Sequence, residues 1–145
     1  MRYLLIPVGF LFYLWFLVIF IPVTIFFAAT VLVVSPFWPK KYGRAMRFFP
    51  RAWGWIGIRL VLCPVYIYGA EKAQDNPGIV ISNHQSLFDI LAALGFYPMD
   101  FLFLSKAEVF KIPLVGLAMR KVGYIPINRS NPRQAARSLE VVEAQ

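Results

Sequence analysis

The chain has 145 residues, about the length of one domain, and it carries a formal net charge of +8. Its hydrophobic content of 59% and aromatic content of 17% exclude an ordinary soluble composition. A single cysteine and a single histidine exclude an internal disulfide and a metal site with the usual number of protein ligands.

The first predicted element is a long apolar segment. No charged side chain occurs in residues 3–39, whereas about 20 apolar residues are enough to cross a bilayer core. The apolar region of a cleavable signal peptide would be shorter, at about 7 to 15 residues. Residues 1–39 are therefore predicted to be embedded in a membrane. Pro22 should kink or break a helix, so the segment is either one kinked helix or a kinked hairpin whose arms stay in one leaflet.

Residues 40–61 form the second predicted element, a basic amphipathic helix. On a helical wheel its basic residues fall within about 120° and its apolar and aromatic residues fall opposite them. The basic side holds Lys40, Lys41, Arg44, Arg47, Arg51 and Arg59, and the other side holds Ala45, Met46, Phe49, Trp53, Ile56, Gly57 and Leu60. Pro50 is expected to bend this helix. Such a helix next to an apolar segment is typical of the membrane interface, and an ordinary helix packed on a core is the alternative.

The charge distribution predicts which side of the membrane the chain occupies. Lys and Arg residues clustered beside a membrane segment stay in the cytoplasm, so the remainder should lie on the cytoplasmic face, that of the inner membrane in a bacterium. An anionic membrane surface is the expected partner of the cluster. Basic stripes also bind nucleic acid, but here the charges share one helix with Trp and Phe, so no nucleic-acid partner is expected.

Residues 62–145 have the pattern of an α/β domain. Strands are predicted at 61–68, 78–82, 101–104 and 124–127, and helices at about 87–95, from Pro113 to Gly123, and from Pro132 onward. Strands that alternate with helices favour a largely parallel sheet with helical crossovers. The predicted fold is therefore α/β, preceded by the membrane helix or hairpin and by the interfacial helix.

The stretch 83–89, Asn-His-Gln-Ser-Leu-Phe-Asp, lies between a predicted strand and a predicted helix, where open α/β sheets place their chemistry. His84 can take a proton near neutral pH, and Asp89 can orient its ring and stabilise the imidazolium. No Gly-x-Ser-x-Gly occurs, so this pair would activate a substrate hydroxyl rather than a protein nucleophile. Ser86 and Asp89 also match a capping box, in which Asp89 only caps the helix.

Three blocks of this chain resemble the signature motifs of the phospholipid/glycerol acyltransferase family. The first is the His-x4-Asp spacing of His84 and Asp89. The others are Lys106-Ala107-Glu108-Val109-Phe110 with Pro113-Leu114-Val115-Gly116, and Gly123-Tyr124-Ile125-Pro126-Ile127-Asn128-Arg129. The resemblance covers roughly residues 60–145 and is greatest to the bacterial 1-acylglycerol-3-phosphate acyltransferases. The family block that would follow these three, Phe-Pro-Glu-Gly-Thr-Arg, does not occur, so residues 62–145 are expected to be the N-terminal part of such a domain.

The resemblance implies transfer of an acyl group from acyl-CoA or acyl carrier protein to the free hydroxyl of a lysophospholipid. The acceptor would be 1-acylglycerol-3-phosphate, the product phosphatidic acid, and no metal or organic cofactor would be required. His84 and Asp89 would be catalytic. Arg129 precedes a predicted helix N-terminus, a favourable position for binding phosphate, and Lys106 lies at a strand end and would help it. A non-catalytic, membrane-anchored lipid-binding or interaction protein is the alternative function.

Overall fold

The computed structural model describes residues 2–38, 45–73 and 79–128. Contacts within the chain divide it into two compact units. The first consists of Met1–Phe26 and Phe48–Met99, and the second of Phe27–Arg47 and Asp100–Gln145. The functional division at residues 39 and 61 stays a prediction.

Helix α1 is one continuous helix, Arg2–Val34, and a short 3-10 turn, Ser35–Phe37, follows it. Pro22 lies inside α1, so the single helix is the arrangement formed and the hairpin of two arms is not. A proline removes one backbone hydrogen bond from a helix, yet α1 continues through Pro22, and Phe20, two residues earlier, packs in the core of the first unit. Within the described residues, Gly9–Phe37 is the helical stretch that is long and apolar enough to cross a membrane, judged by length and composition.

Helix α2, Phe48–Leu60, begins later than predicted, because a short 3-10 turn occupies residues 45–47 and residues 40–44 lie outside the described part. Pro50 therefore falls in the first turn of α2. The N–H groups of a first turn have no helical partner, so Pro50 costs no bond and the expected bend is not needed.

The predicted membrane-facing side of α2 is partly used within the protein. The indole Nε1 of Trp53 donates to the Thr24 hydroxyl of α1 at 2.9 Å, and that hydroxyl donates to the Phe20 carbonyl at 2.8 Å. Gly57 is buried as well. On the predicted basic side, the Arg51 guanidinium donates to the Tyr97 carbonyl at 2.8 Å. Both sides of α2 thus have partners inside the first unit.

The core of the first unit is built from three helices. Helix α3, Leu87–Phe96, confirms the helix predicted after the histidine motif. Its Leu91 is fully buried and packs in one cluster with Phe16 and Phe20 of α1 and Ile58 of α2. The apolar N-terminal helix is therefore a structural part of the unit that carries the motif.

Helices α2 and α3 touch through their backbones at two glycines. A Cβ atom placed on Gly54 would lie 2.7 Å from the Leu91 carbonyl oxygen, and one placed on Gly95 would lie 2.6 Å from the Trp55 nitrogen. Backbone atoms cannot move aside as a side-chain tip can. Only glycine at both positions allows this approach.

The second unit contains a short parallel sheet with a helical crossover. Strands β1, Leu104–Lys106, and β2, Ile125–Ile127, pair in parallel with Leu104 opposite Ile125, and helix α4, Val115–Val122, connects them. Gly123 ends α4 with a φ of 98°, the left-handed conformation that favours glycine. The described residues are thus mostly helical with one small parallel pair of strands, and the larger α/β sheet stays a prediction.

The strands predicted at 61–68 and 78–82 are wrong for the described residues, because neither segment belongs to the sheet, which has two strands. Both segments have strand-forming sequences, yet a strand exists only when a neighbour satisfies its backbone groups. Their apolar side chains are exposed instead, at 90% for Tyr68 and 89% for Ile81. The strand predicted at 101–104 forms a few residues later, as β1. The helix predicted from Pro132 lies outside the described residues.

Replacing Gly95 with alanine should destabilise the first unit. The added methyl group meets backbone rather than open space, and such overpacking costs about 1–3 kcal/mol. Gly9→Ala is the matched control, because a Cβ atom placed on Gly9 would have no neighbouring atom within 4 Å and alanine favours a helix by up to about 1 kcal/mol. Thermal unfolding in detergent, followed by circular dichroism, should show a lower midpoint for Gly95→Ala alone. Equal midpoints for the two variants would contradict the backbone contact.

Candidate active site

The histidine motif is held by the first turn of α3. Ser86 is the N-cap residue, in an extended conformation, and its hydroxyl accepts a hydrogen bond from the Phe88 N–H at 3.2 Å. Asp89, in the same turn, accepts from the Ser86 N–H at 2.7 Å. The predicted capping box is therefore formed.

One carboxylate oxygen of Asp89 serves both the cap and the histidine. Its Oδ2 accepts from the backbone N–H groups of Gln85 and Ser86, each at 2.7 Å, and lies 3.3 Å from His84 Nδ1. The two interpretations of Asp89, helix cap and histidine partner, are thus combined in a single atom. The Gln85 contact was not predicted, although its position directly before the N-cap residue could have suggested it.

This contact determines which histidine nitrogen is available for chemistry. An ionised carboxylate only accepts hydrogen bonds, so Nδ1 must carry the proton when it donates to Asp89. Nε2 is then left with a free lone pair and can take a proton from a bound hydroxyl. The His84 and Asp89 side chains are 55% and 41% exposed, so both groups are accessible from outside the protein.

The same hydrogen bonds stabilise the charged form of Asp89. The N–H groups of Ser86 and then Gln85 hold the pKa of the Asp89 carboxyl below its usual value of 3.8, against an opposing contribution from desolvation, and His84 lowers it further. Asp89 is therefore ionised at every pH at which an imidazole can act as a base.

The described structure does not test the other two predicted site residues. Lys106 lies on β1 in the second unit, where its Nζ is 3.8 Å from Glu108 Oε2 and both side chains are largely exposed. Arg129 lies outside the described residues. The structure thus brings His84 and Asp89 together and leaves the roles of Lys106 and Arg129 as predictions. Among the described residues, no group of three His, Cys, Asp or Glu side chains could hold a metal ion.

An open groove of about 480 Å³ lies along the C-terminal half of α3. Its lining is largely apolar and aromatic, with one cation. The residues of α3 that line it include Ala92, Ala93 and Phe96, and residues 65–70 with Lys72 and Ala73 form another wall. Asp89, Ala92, Ala93 and Phe96 are spaced by three and four residues, so they share one face of α3. The groove therefore lies on the same face of α3 as Asp89, closer to the C-terminal end of the helix.

The acyltransferase family model matches residues 64–144, a region that contains the histidine motif and α3. The chain belongs to the acyltransferase family. This assignment agrees with the resemblance of the three sequence blocks. No solved structure matches the chain significantly.

Relatives of this acyltransferase-family chain share one description, 1-acyl-sn-glycerol-3-phosphate acyltransferase. A chloroplastic protein of Arabidopsis thaliana is 36% identical over 107 residues, which are 71% of this chain and 28% of the relative. A chloroplastic protein of Brassica napus is 38% identical over 93 residues, 59% of this chain and 25% of the relative. A Chlamydomonas reinhardtii protein is 30% identical over 135 residues, 90% and 39% of the two chains. The chain spans well under half the length of these relatives.

The lowered pKa of Asp89 predicts how the stability of the first unit depends on pH. A carboxyl whose folded pKa is depressed stabilises the fold above its unfolded value of 3.8, and this contribution is lost as pH falls through the lower folded pKa. Carbon-detected NMR titration of the Asp89 carboxyl should therefore give a midpoint below 3.8. Asp89→Asn should lack the corresponding acid-dependent loss of stability. A midpoint at or above the usual value would show that the shared-oxygen geometry is absent in solution.

Proposed function

We propose that this chain forms the catalytic centre of a glycerolipid O-acyltransferase. The observation that carries the proposal is the contact of His84 Nδ1 with the Asp89 carboxylate that caps α3. This contact leaves Nε2 of His84 available. Membership of the acyltransferase family and the descriptions of the relatives support the same reaction class.

The proposed reaction uses the pair as a general base and its orienting carboxylate. His84 Nε2 removes the proton from the acceptor hydroxyl while the hydroxyl oxygen attacks the carbonyl carbon of an acyl thioester. Asp89 stabilises the resulting imidazolium and keeps its ring in place. When the tetrahedral intermediate collapses, the carbon–sulfur bond breaks and the imidazolium returns its proton to the leaving thiolate. An ester is formed, a thiol is released, and the histidine is neutral again.

The proposed acceptor is 1-acylglycerol-3-phosphate, and the product is phosphatidic acid. The relatives in Arabidopsis and Brassica are described as acyltransferases of that acceptor. Acyl-CoA or acyl carrier protein would supply the thioester. Arg129 would bind the acceptor phosphate, since a guanidinium grips phosphate through two hydrogen bonds, and Lys106 would add a second positive charge. The apolar groove along α3 would accommodate an acyl chain.

The proposed attachment to the membrane uses the exposed face of α1. This face carries Leu11, Leu14, Val18, Ile21 and Ile25, all exposed, whereas the opposite face packs in the first unit at Phe16 and Phe20. Thr24, near the middle of Gly9–Phe37, binds Trp53 of α2. If α1 stood upright across a bilayer, Arg51 and Arg59 of α2 would lie near the bilayer midplane. Placing a charged arginine there costs about 2.5–3.5 kcal/mol of free energy for each residue. We therefore favour α1 lying in the plane of one leaflet.

His84→Ala should abolish acyl transfer without unfolding the protein. Two helix-cap variants then separate catalysis from stability. Asp89→Asn keeps an oxygen for the cap but loses the charge, so kcat should fall by about two or more orders of magnitude with a small effect on stability. Ser86→Ala keeps Asp89 but loses a cap, so stability should fall by about 1 kcal/mol while kcat changes much less.

These variants are assayed in two proteins. One is the 145-residue chain, and the other is that chain followed by the part of the Arabidopsis relative beyond the matched region. Thioester consumption and lipid product are both measured. Equal kcat for Asp89→Asn and the parent would remove Asp89 from the mechanism. Lipid binding without turnover in both proteins would favour the non-catalytic alternative.

Arg129→Lys should impair recognition of the acceptor phosphate, because lysine keeps the charge but loses the two-pronged grip. We expect KM for 1-acylglycerol-3-phosphate to rise roughly 10-fold, with KM for the thioester nearly unchanged. Arg120→Lys is the matched control, since the Arg120 guanidinium packs over the Phe110 ring instead. An acceptor without phosphate should show no further loss in Arg129→Lys. Equal losses for both acceptors would indicate that Arg129 has a structural role.

The in-plane orientation of α1 predicts that both ends of the apolar stretch lie on one side of the membrane. Single cysteines are introduced as Gly9→Cys and Phe37→Cys in a Cys63→Ser background, and sealed vesicles are treated with a membrane-impermeant maleimide. Both cysteines should react from the same side. Labelling of the two positions from opposite sides would show that α1 spans the bilayer.

A further inference from the structure

We infer that Phe16, in the apolar helix α1, is a positioning residue for the His84–Asp89 pair, acting through Phe88. The inference rests on the proposed function and adds to it. The N-terminal apolar helix then has a second task besides attachment to the membrane, because it holds the first turn of the helix that carries the site.

The contact between the two phenylalanines carries the inference. The ring of Phe16 meets the ring of Phe88 edge to face, with centroids 5.5 Å apart and planes at 66°. Phe88 lies between Ser86 and Asp89, and its backbone N–H is the group that the Ser86 hydroxyl caps. Phe88 is therefore a residue of the capping turn that contacts α1 directly. Displacing its ring displaces the turn that holds the Asp89 carboxylate.

Phe16 is itself held firmly. Its side chain is 4% exposed, and its ring stacks on that of Phe20 with centroids 4.7 Å apart. Phe20 in turn contacts the ring of Trp53 at 5.3 Å, and Leu91 of α3 belongs to the same cluster. The ring chain Trp53–Phe20–Phe16–Phe88 thus connects α2 and α1 to the first turn of α3. A catalytic group displaced by about 1 Å can lose roughly 100-fold in rate. A connection that holds the first turn of α3 in place would prevent such a displacement.

The positioning task and the membrane task use different faces of α1. Phe16 and Phe20 lie on the covered face, whereas Val18 and Ile25 lie on the exposed face. A substitution on the covered face can therefore alter the site while leaving the lipid-facing surface intact. This separation allows the two roles to be tested independently.

The test compares Phe16→Ala with Phe48→Ala, which removes an equally large ring from an exposed position of α2. Phe16→Ala should lower kcat about 10-fold or more, with both KM values within about 2-fold and vesicle binding unchanged. Phe48→Ala should leave kcat unchanged. Phe16→Leu, which refills part of the space, should recover part of the lost rate.

A double-mutant cycle tests whether Phe16 acts through Phe88. In a Phe88→Ala background, Phe16→Ala should cause little further loss of kcat, because the ring contact is already gone. Fully additive losses, or a loss of kcat in Phe16→Ala that a lower thermal midpoint explains by itself, would overturn the inference.

A measurement without turnover distinguishes failure of this inference from failure of the proposed function. In Phe16→Ala, NMR should show faster exchange of the Gln85 and Ser86 amide protons that donate to Asp89, and the Asp89 carboxyl should titrate closer to its usual value. Phe48→Ala should show neither change. If the parent protein proves inactive, these signals still report the positioning role. Unchanged exchange and titration in Phe16→Ala would rule that role out.

Discussion

The contact of α2 with α3 at Gly54 and Gly95 is the constraint on which the first unit depends. Because backbone meets backbone there, the two helices have little freedom to slide or rotate against each other. Helix α2 also contacts α1 through the hydrogen bond that Trp53 donates to Thr24. Helices α1, α2 and α3 thus pack closely together, and the position of the histidine motif at the start of α3 depends on that packing.

One carboxylate oxygen of Asp89 caps helix α3 and also contacts the histidine of the proposed catalytic pair. Its Oδ2 accepts two short backbone hydrogen bonds and also faces His84. The backbone bonds fix the oxygen in place, so in the proposed reaction the orientation of the imidazole would require little reorganisation. They also keep the carboxylate weakly basic, so that in the proposed reaction Nε2 of His84, rather than Asp89, would take the acceptor proton.

Local patterns in the sequence predicted local structure well. Ser86 and Asp89 predicted the cap of α3, Gly123 predicted the end of α4, and residues 124–127 predicted β2. The contact of His84 with Asp89 was predictable, because the two residues are close in the chain, one before and one inside the first turn of α3. Long-range packing was not predictable. No sequence signal marks Phe16 as the partner of Phe88. The sequence of residues 61–68 favours a strand, but a strand forms only where a neighbour elsewhere in the chain satisfies its backbone groups.

The packing of α1 has a consequence for the order in which the protein assembles. A ribosome delivers α1 first, before α2 and α3 exist to cover Phe16 and Phe20. If the chain is attached to a membrane as proposed, lipid can shield that face until α2 and α3 cover it and the core of the first unit closes. Folding of the site would then occur at the bilayer surface rather than in free solution. The membrane would thus act as a temporary partner for a surface that the finished protein conceals.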